Sequence, residues 1–149
     1  MIDKSQIGKE MPLPSWEVEK GKIREFVQAV GDSNRIFVSK EEAIRDGYSD
    51  IPAPATFATV LMNWTGIVKP VLNRLGAGAV VHGEQEYEYF KQIYTGDILS
   101  GTTKVVSVQE KSGKSGVMNL ITVETVFKNQ NKEKVILVRS LLIERPKAV

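Results

Sequence analysis

Apolar and polar positions change rhythm once along this chain, dividing it into a helical first half and a stranded second half. In the first half Ile23, Phe26, Val27 and Val30 recur at helical spacing, and Gly31 is placed to stop the helix. The following "SKEEAIRDG" opens with Ser39 and carries Glu42 three positions on, the signature of a capped helix start. After "IPAPA", apolar residues recur every three or four positions from Phe57 through Leu61, Trp64, Val68 and Val71 to Leu75, closing at Gly76. That spacing predicts one long, strongly apolar helix, bent near Gly66 and Pro70.

From Ala79 onward the rhythm is that of strands. The segments "AVVHGEQEYEYF", "DILSGTTKVVSVQE", "GVMNLITVETVF" and "EKVILVRSLLIE" are rich in Val, Ile, Thr and Tyr, with partial alternation. They are separated by "TGD", "KSGKSG" and "KNQNK", which read as turns, so consecutive strands are expected to pair antiparallel. Ahead of the first helix, "MPLPSWEVE" offers a further strand at a sheet edge. A helix that is apolar almost all round has to be covered over most of its surface. The pattern therefore predicts an α+β chain in which a curved antiparallel sheet wraps a long central helix.

Composition narrows the chemistry. At 149 residues and 42% hydrophobic the chain is long enough for a sizeable core, and its length favours one domain spanning 1–149. The absence of cysteine excludes disulfides, thiolate nucleophiles and iron–sulfur clusters. His82 is the only histidine, which leaves little scope for a metal site; no metal and no cofactor is expected. A net charge of +2, from 20 basic and 18 acidic residues spread along the chain, gives no footprint for nucleic acid. No stretch reads as a secretory leader or a membrane span, so the expectation is a soluble, cytoplasmic protein without a membrane partner.

Two stretches carry a family resemblance. "IREFVQAVGDSNRIFVSKEEAIRDGYSDIPAPATFATVL" resembles the N-terminal half of MaoC-like dehydratase domains. "GEQEYEYFKQIYTGDIL" resembles the second strand of that family with its P-x-x-x-G-D turn, Gln92 standing where proline is usual. The likeness covers nearly the whole chain and implies a single hot-dog domain. In the catalytically competent members, (3R)-hydroxyacyl-thioester hydratases and dehydratases, the motif reads G-D-x-N-P-x-H. Here Gly31, Asp32 and Asn34 match, while Arg35 stands at the proline and Phe37 at the histidine. Phenylalanine can neither take the proton alpha to a thioester carbonyl nor protonate a departing hydroxyl.

The chain is therefore similar to the acyl-binding, non-catalytic subunits of the mycobacterial type II fatty-acid-synthase dehydratase. Those keep a P-x-T-F lead into the helix, matched here within "PAPATF", Pro52 to Phe57. The resemblance implies an acyl-CoA or acyl-carrier-protein thioester as ligand. It also implies a homodimer, or a heterodimer with a catalytic hot-dog subunit carrying the intact motif. Pairing of "AVVHGEQEYEYF" with its copy or a homologue would satisfy the exposed strand edge.

Individual residues keep two readings each. Asp32 is either a turn residue bonding the next backbone amides or a catalytic carboxylate. His82 is either a structural side chain or the imidazole of a rearranged pair with Asp32. Free amides near Ala55, Thr56 and Phe57 suit a thioester carbonyl oxygen, whereas Thr56 equally suits a helix cap. Asn34, Ala55, Thr56, Phe57, Trp64 and Gly83 form the expected substrate-binding set, with Phe57, Trp64, Tyr87, Tyr89 and Phe90 lining an acyl tunnel or simply filling core. Two other functions stand beside the acyl-binding dehydratase subunit. One is a self-sufficient hot-dog thioesterase using Asp32, Glu84 or Glu86; the other is a non-enzymatic acyl-thioester binder.

Overall fold

The computed structural model describes residues 2–64, 66–113 and 116–145. Five strands form one antiparallel sheet: β1 (Met11–Glu17), β2 (Val80–Tyr89), β3 (Ile98–Gly113), β4 (Gly116–Lys128) and β5 (Lys134–Glu144), in the order β1-β3-β4-β5-β2. As the alternation predicted, β3, β4 and β5 form a meander, with Thr103 opposite Thr125 and Val123 opposite Ser140. The edge position expected for the first strand is also found. Pro12 and Pro14 lack an amide donor, which an edge strand tolerates and a central one does not.

The second strand departs from the expected order, pairing with β5, Tyr87 opposite Val138, rather than with β3. The connection after β2 is not a simple turn. Its backbone bonds to the segment preceding the helices instead: Ala53 donates to Ile93 O at 2.8 Å and Thr95 to Ile51 O at 3.0 Å, with a bridge between Pro52 and Tyr94. Only then does "TGD" turn tightly into β3, Asp97 Oδ2 accepting the Tyr94 amide at 2.8 Å.

Of the helices, α1 (Lys20–Val30) ends at Gly31 in the left-handed conformation, and α2 (Lys40–Arg45) is capped by Ser39, whose hydroxyl accepts the Glu42 amide. The single long central helix expected from the periodicity is not present. It is two short helices, α3 (Ala58–Trp64) and α4 (Val68–Leu75). Gly66 is the cause: its φ of 58° is left-handed, which a right-handed helix cannot contain. Pro70 is not at fault, because it lies in the first turn of α4, where its missing amide costs no intrahelical bond. Coverage is one-sided too: Val71 and Leu75 are buried while Val68, Lys69 and Arg74 face solvent.

The core lies between these helices and one face of the sheet. Phe57, Leu61, Val71 and Leu75 pack with Ile23 and Val27 of α1 and with Val105, Ile121, Val123, Phe127 and Val138 of the sheet. Phe57, only 1% exposed, is held between the rings of Trp16 at 5.8 Å and Phe26 at 5.6 Å, the latter edge-on. Among the described residues no helix is long and apolar enough to cross a membrane.

Candidate functional site

The loop after α1 is organised by its own polar side chains. Asp32 Oδ1 accepts the Asn34 amide at 2.9 Å, and Asn34 Oδ1 accepts the Ile36 amide at 3.1 Å, starting the short 3-10 turn Arg35–Phe37. Each is an Asx-type bond, the local pairing these residues offer when no helix follows at once. Asp32 and Asn34 are both exposed, whereas Phe37 is partly buried and packs against the core. An apolar ring thus occupies the position at which the resemblance expects an imidazole.

Phe37 also lines a groove of about 280 Å³, together with Tyr48, Pro52, Ala53, Ala55, Tyr89 and Gln92. Its walls come from four parts of the chain: the 3-10 turn, the loop that follows α2, the Pro-Ala-Pro segment, and the end of β2 with the residues just beyond it. The bridge between Pro52 and Tyr94 brings the last two together. Gln92, at the position of the family's usual proline, donates from Nε2 to Ala53 O at 3.2 Å and to Ile93 O at 3.0 Å, fixing that junction. Among the described residues no Asp, Glu, Lys, Arg or His lines it. Burial, with a smaller contribution from neighbouring Tyr87, pushes the Tyr89 phenol up to about 12. The two rings stack at 6.3 Å, and the Tyr87 hydroxyl is hydrogen-bonded to Thr59 Oγ1 of α3.

His82 is elsewhere. It stands exposed on β2, its Nε2 3.1 Å from Gln85 Oε1, which also accepts the Ser140 hydroxyl at 2.9 Å. Among the described residues no hydrogen bond joins it to Asp32. Neighbouring Gly83 sits at a register shift between His82 and Glu84. A Cβ there would lie 3.0 Å from Ile143 Cδ1 and 3.3 Å from Leu141 O, so glycine serves close strand approach. Glu86 is bound to Arg139 at 2.7 Å, and Glu124 shares the same guanidinium. Among the described residues no cluster of three or more possible metal ligands occurs.

Of the expected substrate-binding set, the groove gathers only Ala55, flanked by Pro52 and Ala53. Thr56 is exposed and, among the described residues, makes no side-chain bond that would cap α3. Phe57 is core, Phe90 lies under the Lys134 ammonium at 3.8 Å, and the Trp64 side chain lies outside the described residues. Tyr48 was not singled out by the sequence. It follows Gly47 in a turn, and nothing local marks it as a neighbour of β2, because that proximity depends on a long-range bridge.

With this geometry in place, the chain matches the family model described as "FAS1-like, dehydratase domain region" over residues 5–138. A UPF0336 protein of Saccharopolyspora erythraea is 33% identical over 97% of this chain and 92% of its own length. Another, from Streptomyces griseus, is 35% identical over 75% of this chain and 77% of its own. Among solved structures, the C-terminally truncated HadBC (3R-hydroxyacyl-ACP dehydratase) complex of Mycobacterium tuberculosis is 25% identical, with a TM-score of 0.77 over 91% of this chain and 96% of that one. The ChsH1–ChsH2 complex of the same organism, 22% identical, gives 0.72 over 95% and 86%. An (R)-hydratase of A. caviae, 14% identical, gives 0.73 over 97% and 100% and shares the hot-dog fold alone.

Proposed function

Because the chain belongs to the FAS1-like dehydratase-region family, with the hot-dog fold of MaoC-like dehydratases, we propose that it is an acyl-thioester-binding subunit whose catalytic groups come from a partner chain. Its ligands are (3R)-hydroxyacyl or trans-2-enoyl thioesters of coenzyme A or acyl carrier protein. One observation carries the reading: the groove at the motif has Phe37 in its wall and, among the described residues, no side chain that titrates near neutral pH. Such a site binds and orients but supplies neither base nor acid. Asp32 is occupied by its own loop, and His82 is engaged by Gln85.

Size argues the same way. A groove of about 280 Å³ lies at the lower end of the ~300–1,000 Å³ of ordinary ligand pockets, so a long acyl chain on a pantetheine arm extends beyond it. Strand β2, an outer strand of the sheet, exposes Val81 and Tyr89, with Phe90 just beyond, beside the groove. An edge of that kind is completed by another chain, either a copy or a catalytic hot dog. HadBC and ChsH1–ChsH2 are themselves complexes, which supports a partner for this chain as well.

The test is hydration of trans-2-enoyl-CoA by the purified chain, alone and mixed with a hot-dog subunit carrying the intact G-D-x-N-P-x-H motif. Alone it is expected to be inactive, lacking proton-transfer groups worth about 10²–10⁴ in rate. Mixed, it should bind the partner and shift its chain-length preference. Robust turnover by the chain alone, abolished by His82→Ala, overturns the proposal.

A further inference from the structure

Two tyrosines, Tyr48 and Tyr89, line the groove beside Phe37, and neither phenol hydroxyl has a hydrogen-bond partner among the described residues. Resting on the acyl-thioester reading above, we propose that the Tyr89 hydroxyl donates the hydrogen bond that holds the ligand's carbonyl oxygen, and that the groove thereby selects an uncharged thioester over the free carboxylic acid.

The fixed ring favours Tyr89 over Tyr48, and the neighbouring Gln92 completes the recognition. Its ring is fixed by stacking on Tyr87, whose own hydroxyl is tied to Thr59 on α3, so only the Tyr89 oxygen is left to face a ligand from that face of β2. Like any phenol it is protonated at neutral pH and so a donor throughout the physiological range, and the partial burial of the half-exposed ring pushes its titration further up, to about 12. Gln92 is oriented with both of its Nε2 bonds on backbone carbonyls, which leaves Oε1 without a donor among the described residues. That oxygen welcomes an amide N–H and repels an anion.

The charge balance of the walls then sets the selectivity. A carboxylate entering the groove loses water and meets no cation, a cost that a neutral thioester does not incur. The same walls that fail to catalyse therefore discriminate between an activated acyl group and its hydrolysis product.

The experiment titrates the full chain with hexanoyl-N-acetylcysteamine, an uncharged thioester, and with hexanoate, following tyrosine fluorescence and the isotope-labelled carbonyl stretch of the bound thioester. Wild type should bind the thioester at least about tenfold more tightly than the acid. Tyr89→Phe, checked for retained fold by circular dichroism, should weaken thioester binding about three- to tenfold, the loss of one neutral hydrogen bond. It should also move the carbonyl stretch to higher frequency, while Tyr48→Phe leaves the stretch in place. Unchanged affinity and stretch in Tyr89→Phe, a shift in Tyr48→Phe instead, or equal affinity for hexanoate overturns the Tyr89 assignment while thioester binding itself stands. Failure of the wild-type chain to bind any thioester removes the acyl-thioester reading and this assignment with it.

Discussion

The Oδ1 of Asp32 accepts the backbone amide of Asn34 at 2.9 Å, so the carboxylate that matches the aspartate of the G-D-x-N-P-x-H pattern serves the conformation of its own loop. An asparagine oxygen accepts the same bond. Asp32→Asn is therefore expected to leave both the thermal midpoint and the turnover of any reconstituted complex within error of wild type, whereas Asp32→Ala loosens the loop and lowers the midpoint. Loss of turnover in Asp32→Asn, measured in the complex, would show that the carboxylate has a chemical role after all.

Phe57 was a candidate for an acyl tunnel and is instead packed between Trp16 and Phe26. Phe57→Ala should cost about 3–5 kcal/mol of stability by denaturant unfolding, as other buried aromatic truncations do. Neighbouring Ala58 is only 2% exposed, so enlarging it to Leu overpacks the core and costs about 1–3 kcal/mol rather than tuning chain length.

Thr103 and Thr125 face each other across β3 and β4, fully buried, with their hydroxyls 2.9 Å apart; Thr103 Oγ1 also lies 3.2 Å from Glu124 O. Thr125→Val should cost about 1–2 kcal/mol, and the double Thr103→Val/Thr125→Val variant less than the sum of the two singles. Urea midpoints of the four proteins of that cycle decide it.

Tyr89 gives the fold an alkaline signature. Its folded phenol titrates near 12 against about 10 in an unfolded chain, so the native state binds more protons between those values. Its contribution to stability is complete below pH ~10 and is lost as the pH climbs toward ~12. In Tyr89→Phe the decline of stability over that interval should be shallower than in wild type, as measured by urea midpoints at stepped pH.

Val81 lies on β2 at the sheet edge and is 37% exposed. Val81→Lys places a charge on that edge and should shift a dimer toward monomer in light scattering at micromolar concentration without lowering the thermal midpoint of the monomer.

The readable parts of the sequence were those set by neighbours in the chain. Gly31 and Ser39 act locally, through a left-handed stop and a side-chain cap, and both appear where the pattern placed them. Strand β4 alternates because one face is core, while β5 is buried on both faces from Val135 to Val138 and reads as a continuous apolar run. The break at Gly66 was read as a bend, since periodicity continues across it and says nothing of the sign of φ. Pairing of β2 with β5 was not legible, because its determinant is the bonding of 93–95 to 51–53, far apart in sequence. The same bonding joins Phe37, Ala55 and Gln92, which were singled out, to Tyr48 in one groove.

The strand order β1-β3-β4-β5-β2 has a consequence for biosynthesis. Strand β2 leaves the ribosome before β3, β4 and β5, yet the strand it pairs with is the last of these to be made. At about 5–20 residues per second that wait lasts several seconds, during which the segment from Val80 to Tyr89 has no neighbour on either side. A nascent chain carrying two unsatisfied strand edges is open throughout that interval to pairing with any other exposed edge, so the order of synthesis makes β2 the segment most exposed to mispairing.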